Sequence, residues 1–184
     1  MVLSIFRNLW GQEVSPDLKT AHRAYQIGEY PLAAEKYRIL AVEAEKQRSP
    51  RAPWLLIQAA RSNLQQAQTA QAMKQLEHAL SLLISGGFQD KAYLIGNQSL
   101  AQLQSLGKDD EADELVSFLR FGLPGYKVST VPKPEAVERL LPAICPHCEG
   151  PVRPLEVRWK DSQTAECPYC GNPVNVLQKV KQKT

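Results

Sequence analysis

The sequence predicts a mainly α protein in which three antiparallel helical hairpins precede a small β ribbon. Residues 15–121 are helix-type sequence, cut by caps and breakers into six segments. Their turns recur every 39 or 40 residues, at Gly28, Ala67 and Gly107. Beyond Pro142 the helical pattern gives way to a stretch of alternating apolar and charged residues between two Cys-Pro-x-Cys pairs.

Composition bounds what such a chain does. At 184 residues and 43% hydrophobic content it has enough apolar material for a core. A net charge of +3 gives no electrostatic case for wholesale nucleic-acid binding. No apolar run is long enough to span a bilayer. The N-terminus lacks the long apolar core and small-residue cleavage site of a secretory signal. Paired cysteines without an export signal point to a reducing, cytoplasmic setting, where thiols stay free for metal.

The first unit, residues 1–14, contains Met1–Gly11, whose Val2, Ile5, Phe6 and Leu9 share one helical face, with Leu3 and Trp10 beside it. With Arg7 as its one cation, such a helix has only marginal affinity for lipid. Docking on the protein body or on a partner is therefore expected, with a membrane surface as the alternative occupant of residues 1–11.

The helical unit, residues 15–121, starts at Ser15-Pro16-Asp17, an N-cap followed by proline at the first helical position. Gly28-Glu29-Tyr30-Pro31 ends that helix and begins the next, which runs over about 32–48. Ser49-Pro50 and Pro53 mark a further start, a break falls near Ala67, and Gly86-Gly87 is a stop. Asp90 is the expected N-cap of a helix ending at Gly107, and Asp109 that of the last, with Asp110, Glu111 and Asp113 suited to its positive end.

The units also match internally. Ala33, Ala72 and Ala112 stand five residues beyond the three turns, followed by Tyr37, Leu76 and Val116, then by Leu40, Ala79 and Leu119. Ala21, Ala60 and Leu100 correspond on the preceding helices. Alanine at a helix crossing lets backbones approach while larger residues fill the groove beside it. The pattern Ala21…Gly28-Glu29-Tyr30…Ala33…Tyr37 resembles a tetratricopeptide repeat, and Gly107…Ala112…Val116…Leu119…Pro124 resembles a second. The middle unit has Ala67 where that family prefers a turn glycine, and the period exceeds the family's roughly 34 residues. A helical bundle with coincidental spacing is the alternative.

The resemblance implies a tetratricopeptide-like solenoid in which the first helix of each hairpin lines a concave groove for a partner peptide. By position that groove would include Leu18, His22 and Tyr25, then Ile57, Arg61 and Leu64, then Asn97, Ala101 and Gln104. The set is mixed, not a basic clamp for a terminal carboxylate. Leu18, Ile57 and Leu64 suit a core, and His22 suits a plain surface position.

Residues 122–142 read as a linker, because Gly122, Pro124, Gly125, Pro132, Pro134 and Pro142 deny it a long helix. Two helical turns over 135–141 are allowed, and Leu123 and Tyr126 are the expected contacts with the helical body. In the unit 143–178, Leu155, Val157 and Trp159 alternate with Glu156, Arg158 and Lys160, a strand with one apolar and one charged face. Asp161-Ser162-Gln163 turns the chain, 164–166 returns it, and Val174, Val176 and Leu177 supply a third strand. The tail, residues 179–184, is basic and reads as a solubilising end.

Eighteen residues separate the cysteine pairs, inside the window of roughly fifteen to twenty used by four-thiolate zinc sites. A two-residue gap folds each pair into a knuckle, so Cys145, Cys148, Cys167 and Cys170 can reach one structural Zn2+ at about 2.3 Å. His147 could replace a cysteine, but four thiolates already complete a tetrahedron, and a solvent-facing ring is expected. Each pair also resembles the active-site motif of thioredoxin-like oxidoreductases, which need a helix starting at the first cysteine. Here Glu149-Gly150-Pro151 and Gly171-Asn172-Pro173 follow, which prevents one. Structural disulfides are the third option.

No acid–base pair, activated nucleophile or phosphate-cradling loop marks the chain as an enzyme. The expected function is a non-catalytic adaptor that binds a protein partner. A nucleic-acid-associated ribbon using Arg158 and Lys160 is the alternative, as is a peripheral membrane scaffold.

Overall fold

The computed structural model describes residues 13–128 and 141–177. The N-terminal apolar helix, the linker residues 129–140 and the basic tail predicted above lie outside the described residues. Among the described residues six helices run in order: α1 (Pro16–Gln26), α2 (Tyr30–Lys46), α3 (Ala52–Gln65), α4 (Thr69–Ser85), α5 (Gln89–Ser105) and α6 (Asp109–Gly122). Three short strands follow, β1 (Arg158–Trp159), β2 (Thr164–Glu166) and β3 (Pro173–Asn175), forming an antiparallel sheet in the order β1-β2-β3. Trp159 pairs with Ala165, and Ala165 with Val174. No helix among the described residues is long and apolar enough to cross a membrane.

One local device reverses the chain between successive helices. Gly28, Arg48, Ala67, Gly87 and Gly107 all adopt left-handed φ, at 82°, 52°, 58°, 80° and 65°. The residue after each donates its N–H to the carbonyl five positions back, as in Glu29 to Ala24, Gln68 to Asn63 and Lys108 to Leu103, at 2.9–3.0 Å. These bonds satisfy carbonyls that a helix end leaves orphaned. Glycine takes the left-handed conformation without strain, whereas alanine crowds its Cβ against the following carbonyl. Ala67→Gly is therefore expected to stabilise the protein by about 1 kcal/mol, visible as a higher thermal midpoint; an unchanged or lower midpoint would refute the strain.

Helix starts differ slightly from expectation. Phe88 and Lys108 occupy the N-cap positions expected for Asp90 and Asp109, so both aspartates lie inside the first turn. There they favour the partial positive charge of the helix end without capping it. Ser15 precedes Pro16 as expected, yet its side chain makes no capping bond.

The matched positions do form the core. Ala33, Ala72 and Ala112 are buried, as are Ala21, Ala60, Leu100, Tyr37, Leu76, Ala79 and Leu119, while Leu40 and Val116 are half-buried. Each helix packs on the next in sequence, and α4 also packs on α6. Leu123 and Tyr126 are buried as expected, and the Tyr126 hydroxyl donates to Asn97 at 3.0 Å.

Helix α3 is the centre. From Ala52 to Leu64 only Arg61 is not buried, so one apolar stripe against α2 and α4 does not account for it. Its remaining face is covered by the C-terminal unit. Gln58 and Arg61 of α3, His22, Arg23 and Gln26 of α1, and Lys91 of α5 all touch residues between Glu149 and Tyr169.

Candidate metal centre

Two octets, CPHCEGPV at residues 145–152 and CPYCGNPV at 167–174, build the centre and fold alike. In each, the residue after the second cysteine has left-handed φ, 65° at Glu149 and 72° at Gly171. That residue's N–H returns to the first cysteine's carbonyl, Glu149 to Cys145 and Gly171 to Cys167, both at 2.9 Å. The first cysteine's own N–H then donates across the knuckle, Cys145 to Gly150 at 2.8 Å and Cys167 to Asn172 at 3.0 Å. These bonds aim both sulfurs of a pair the same way. The turn over 161–163 and the pairing of β1 with β2 carry the second knuckle back to the first.

The four sulfurs of Cys145, Cys148, Cys167 and Cys170 lie within 4.8 Å of one another, and all four cysteines are buried. Two contacts cross between knuckles, Cys145 to Cys170 and Cys148 to Cys167, each at 3.8 Å. An ion at about 2.3 Å from four thiolates holds them about 3.8 Å apart, so the cluster fits a tetrahedral, thiophilic cation. Among the described residues no other cluster of His, Cys, Asp or Glu donors gathers this way. His147 is exposed and outside the cluster, as expected.

Each knuckle is seated on a different helix. The Glu149 carboxylate accepts two bonds from the Arg23 guanidinium of α1, at 2.6 and 2.9 Å, and Gln26 donates to the Glu149 carbonyl at 2.8 Å. His22 sits beneath, edge-on to Tyr169 and sharing a 2.6 Å hydrogen bond between its Nδ1 and the Tyr37 hydroxyl. Burial lowers its pKa to about 4, so the ring is neutral near pH 7. This corrects the expectation of a surface histidine: the ribbon covers it.

Gly150 meets His22 so closely that a Cβ there would fall 2.5 Å from the ring Nε2. Gly150→Ala is expected to cost about 1–3 kcal/mol by overpacking, and less in a His22→Ala background where the ring is gone. A double-mutant cycle by urea denaturation measures this coupling; additive effects would mean the two residues do not meet.

The second knuckle rests on α3 through a charged cluster. Glu156 is 2% exposed and accepts from Arg61 at 2.7 Å, from Arg153 at 3.3 Å and from the Tyr169 hydroxyl at 3.1 Å. Gln58, with its amide oxygen turned inward, accepts from Arg153 at 2.9 Å and Arg61 at 3.1 Å and touches the Tyr169 hydroxyl. Burial pushes the Glu156 carboxyl up, but Arg61 and then Arg153 outweigh it, so the group is held below the usual carboxylate range. On the α5 side the Lys91 ammonium donates to the Leu155 and Val157 carbonyls.

This network overturns two expectations. Leu155–Lys160 is not a six-residue alternating strand; only Arg158–Trp159 pairs, and 154–156 is a turn that swings Glu156 inward to the two guanidiniums. Nor is the face made by the first helices open along its length. His22, Ile57 and Leu64 are buried, and Arg61 is committed to Glu156, whereas Ala101 and Gln104 on α5 remain exposed. The sequence reading missed Gln58, Arg153, Glu156 and Tyr169 as seating residues. The octet repeat, visible in the sequence, shows that Tyr169 holds the place of His147, but no sequence signal separates Glu156 from the exposed Arg158 and Lys160.

The chain matches no family model, no curated protein and no solved structure.

Proposed function

We propose that this protein is a non-catalytic adaptor whose cysteine cluster holds a structural Zn2+. The carrying observation is the buried tetrad of sulfurs within 4.8 Å, seated through separate contacts on α1, α3 and α5. Zinc suits it because Zn2+ prefers closed tetrahedral thiolate sites, and four protein ligands leave no position for a reacting water. So small a sheet buries little by itself, and the metal supplies its folding energy. The recurrence of left-handed turns at Gly28, Ala67 and Gly107, with buried alanines at matching places, favours the tetratricopeptide-like reading of the helices. Such arrays commonly present surfaces to proteins, which is the ground for an adaptor.

Elemental analysis of the purified full chain is expected to find one zinc per chain. Affinity capture with the intact protein is expected to retain a protein partner, and no thiol–disulfide exchange turnover should appear. Salt-dependent binding of DNA or RNA at low ionic strength would replace the adaptor with the nucleic-acid reading.

A further inference from the structure

A cavity of about 310 Å3 opens where the ribbon meets the helical body. Trp54 of α3, Phe88 at the start of α5, and Val157 and Trp159 of the C-terminal unit form its apolar walls. Neither half of the molecule makes it alone. Its volume lies near the lower end for ligand pockets, and aromatic walls of this kind take the anchor side chain of a partner.

Among the charged side chains that line it, cations outnumber carboxylates. Glu156 is spent on Arg61 and Arg153, Lys91 on backbone carbonyls, and Glu166 lies 3.5 Å from Lys160. Two lining cations remain, half-buried Arg51 and exposed Arg158, and neither has an ionic partner among the described residues. The surface therefore offers an aromatic slot flanked by two guanidiniums that form no ion pair among the described residues, with Glu166 opposite Arg158 across the strands.

We propose that this junction cavity is a docking site for an acidic segment of a partner protein, one bulky aromatic side chain filling the slot and flanking carboxylates meeting Arg51 and Arg158. The proposal rests on the adaptor reading and gives its partner a chemistry. Nucleic acid fits less well, since a single slot is not the stacking track of a strand binder.

Trp54 and Trp159 report on the site, so the test is a fluorescence titration of the full-length, metal-loaded protein. The probe is a capped peptide with one phenylalanine between two aspartates on each side. Saturable binding is expected, weakened at least tenfold when lysines replace the aspartates, when alanine replaces the phenylalanine, or in the variants Arg158→Glu and Phe88→Ser. Both variants change exposed side chains; because Arg158 stands opposite Glu166 across the strands, Arg158→Gln is the companion variant, expected to weaken binding while keeping full metal content and helicity. Absence of saturable binding, or equal binding by Arg158→Glu, overturns the proposal. An oligonucleotide that binds with this Arg158 dependence where the peptide does not also overturns it. Failure here with partner capture intact removes the cavity and leaves the adaptor; loss of both removes the adaptor too.

Discussion

Cys148→Ser is expected to abolish stoichiometric metal binding and to unfold the C-terminal unit while most of the helix survives. The metal's binding free energy in such a site is on the order of 10 kcal/mol, and it acts as folding energy for the unit that provides the ligands. Here that unit has a sheet of three strands, none longer than three residues, which cannot stand alone. The helices have their own core of leucines and alanines running from Ala21 to Leu119. They should therefore retain most of the far-ultraviolet dichroism. What they lose is the cover over α3, which exposes the side of Trp54 and Gln58 that the ribbon protects. The measurable set is zinc content, tryptophan emission shifted to the red, and rapid proteolysis within residues 141–177. Strong chelation of the wild-type protein should give the same three changes, reversed by added zinc. A serine variant that keeps one zinc and native protease resistance would sink the metal as the source of that unit's stability.

The legible part of this molecule is the part governed by local chemistry. The turns at Gly28, Gly87 and Gly107 are readable because glycine is suited to left-handed φ, and the one at Ala67 rests mainly on spacing. The matched alanines were readable because helix crossings select small residues, and the cysteine tetrad because its spacing is fixed by knuckle and metal geometry. The assembly of the two halves was not legible. Glu156 stands in an apparent alternation, Leu155-Glu156-Val157-Arg158, which reads as a strand with its charges in water. It is buried because Arg61 lies 95 positions away in sequence and directly opposite in space. His22 likewise reads as a surface residue because nothing near it in sequence covers it; Gly150 and Tyr169 do. Contacts that depend on a distant partner's charge or on a missing Cβ leave no periodic trace.

Glu156→Ala is the substitution expected to separate the halves without touching the metal ligands. It removes the one carboxylate shared by Arg61 and Arg153, whose side chains are only 13% and 33% exposed. Stranding a fully buried charge by deleting its partner typically costs about 3–5 kcal/mol, and these partly buried cations, which water can reach, should cost less than that. Glu156→Gln preserves shape and some hydrogen bonding but loses the charge, so it should cost less than alanine. Zinc content should stay at the wild-type level in both variants, which distinguishes undocking from metal loss. The pH dependence gives a second, independent signature. The folded Glu156 pKa lies below its unfolded value of about 4.3, so the unfolded state takes up the proton first as pH falls. The contribution is thus complete above about pH 5 and disappears as pH drops through the folded pKa. The stability difference between wild type and Glu156→Gln, measured by urea denaturation at pH values where both remain zinc-loaded, should be flat from neutrality to about pH 5 and shrink below it. A difference that grows on acidification would mean that Glu156 is protonated in the folded protein and that the two arginines are not what holds it there.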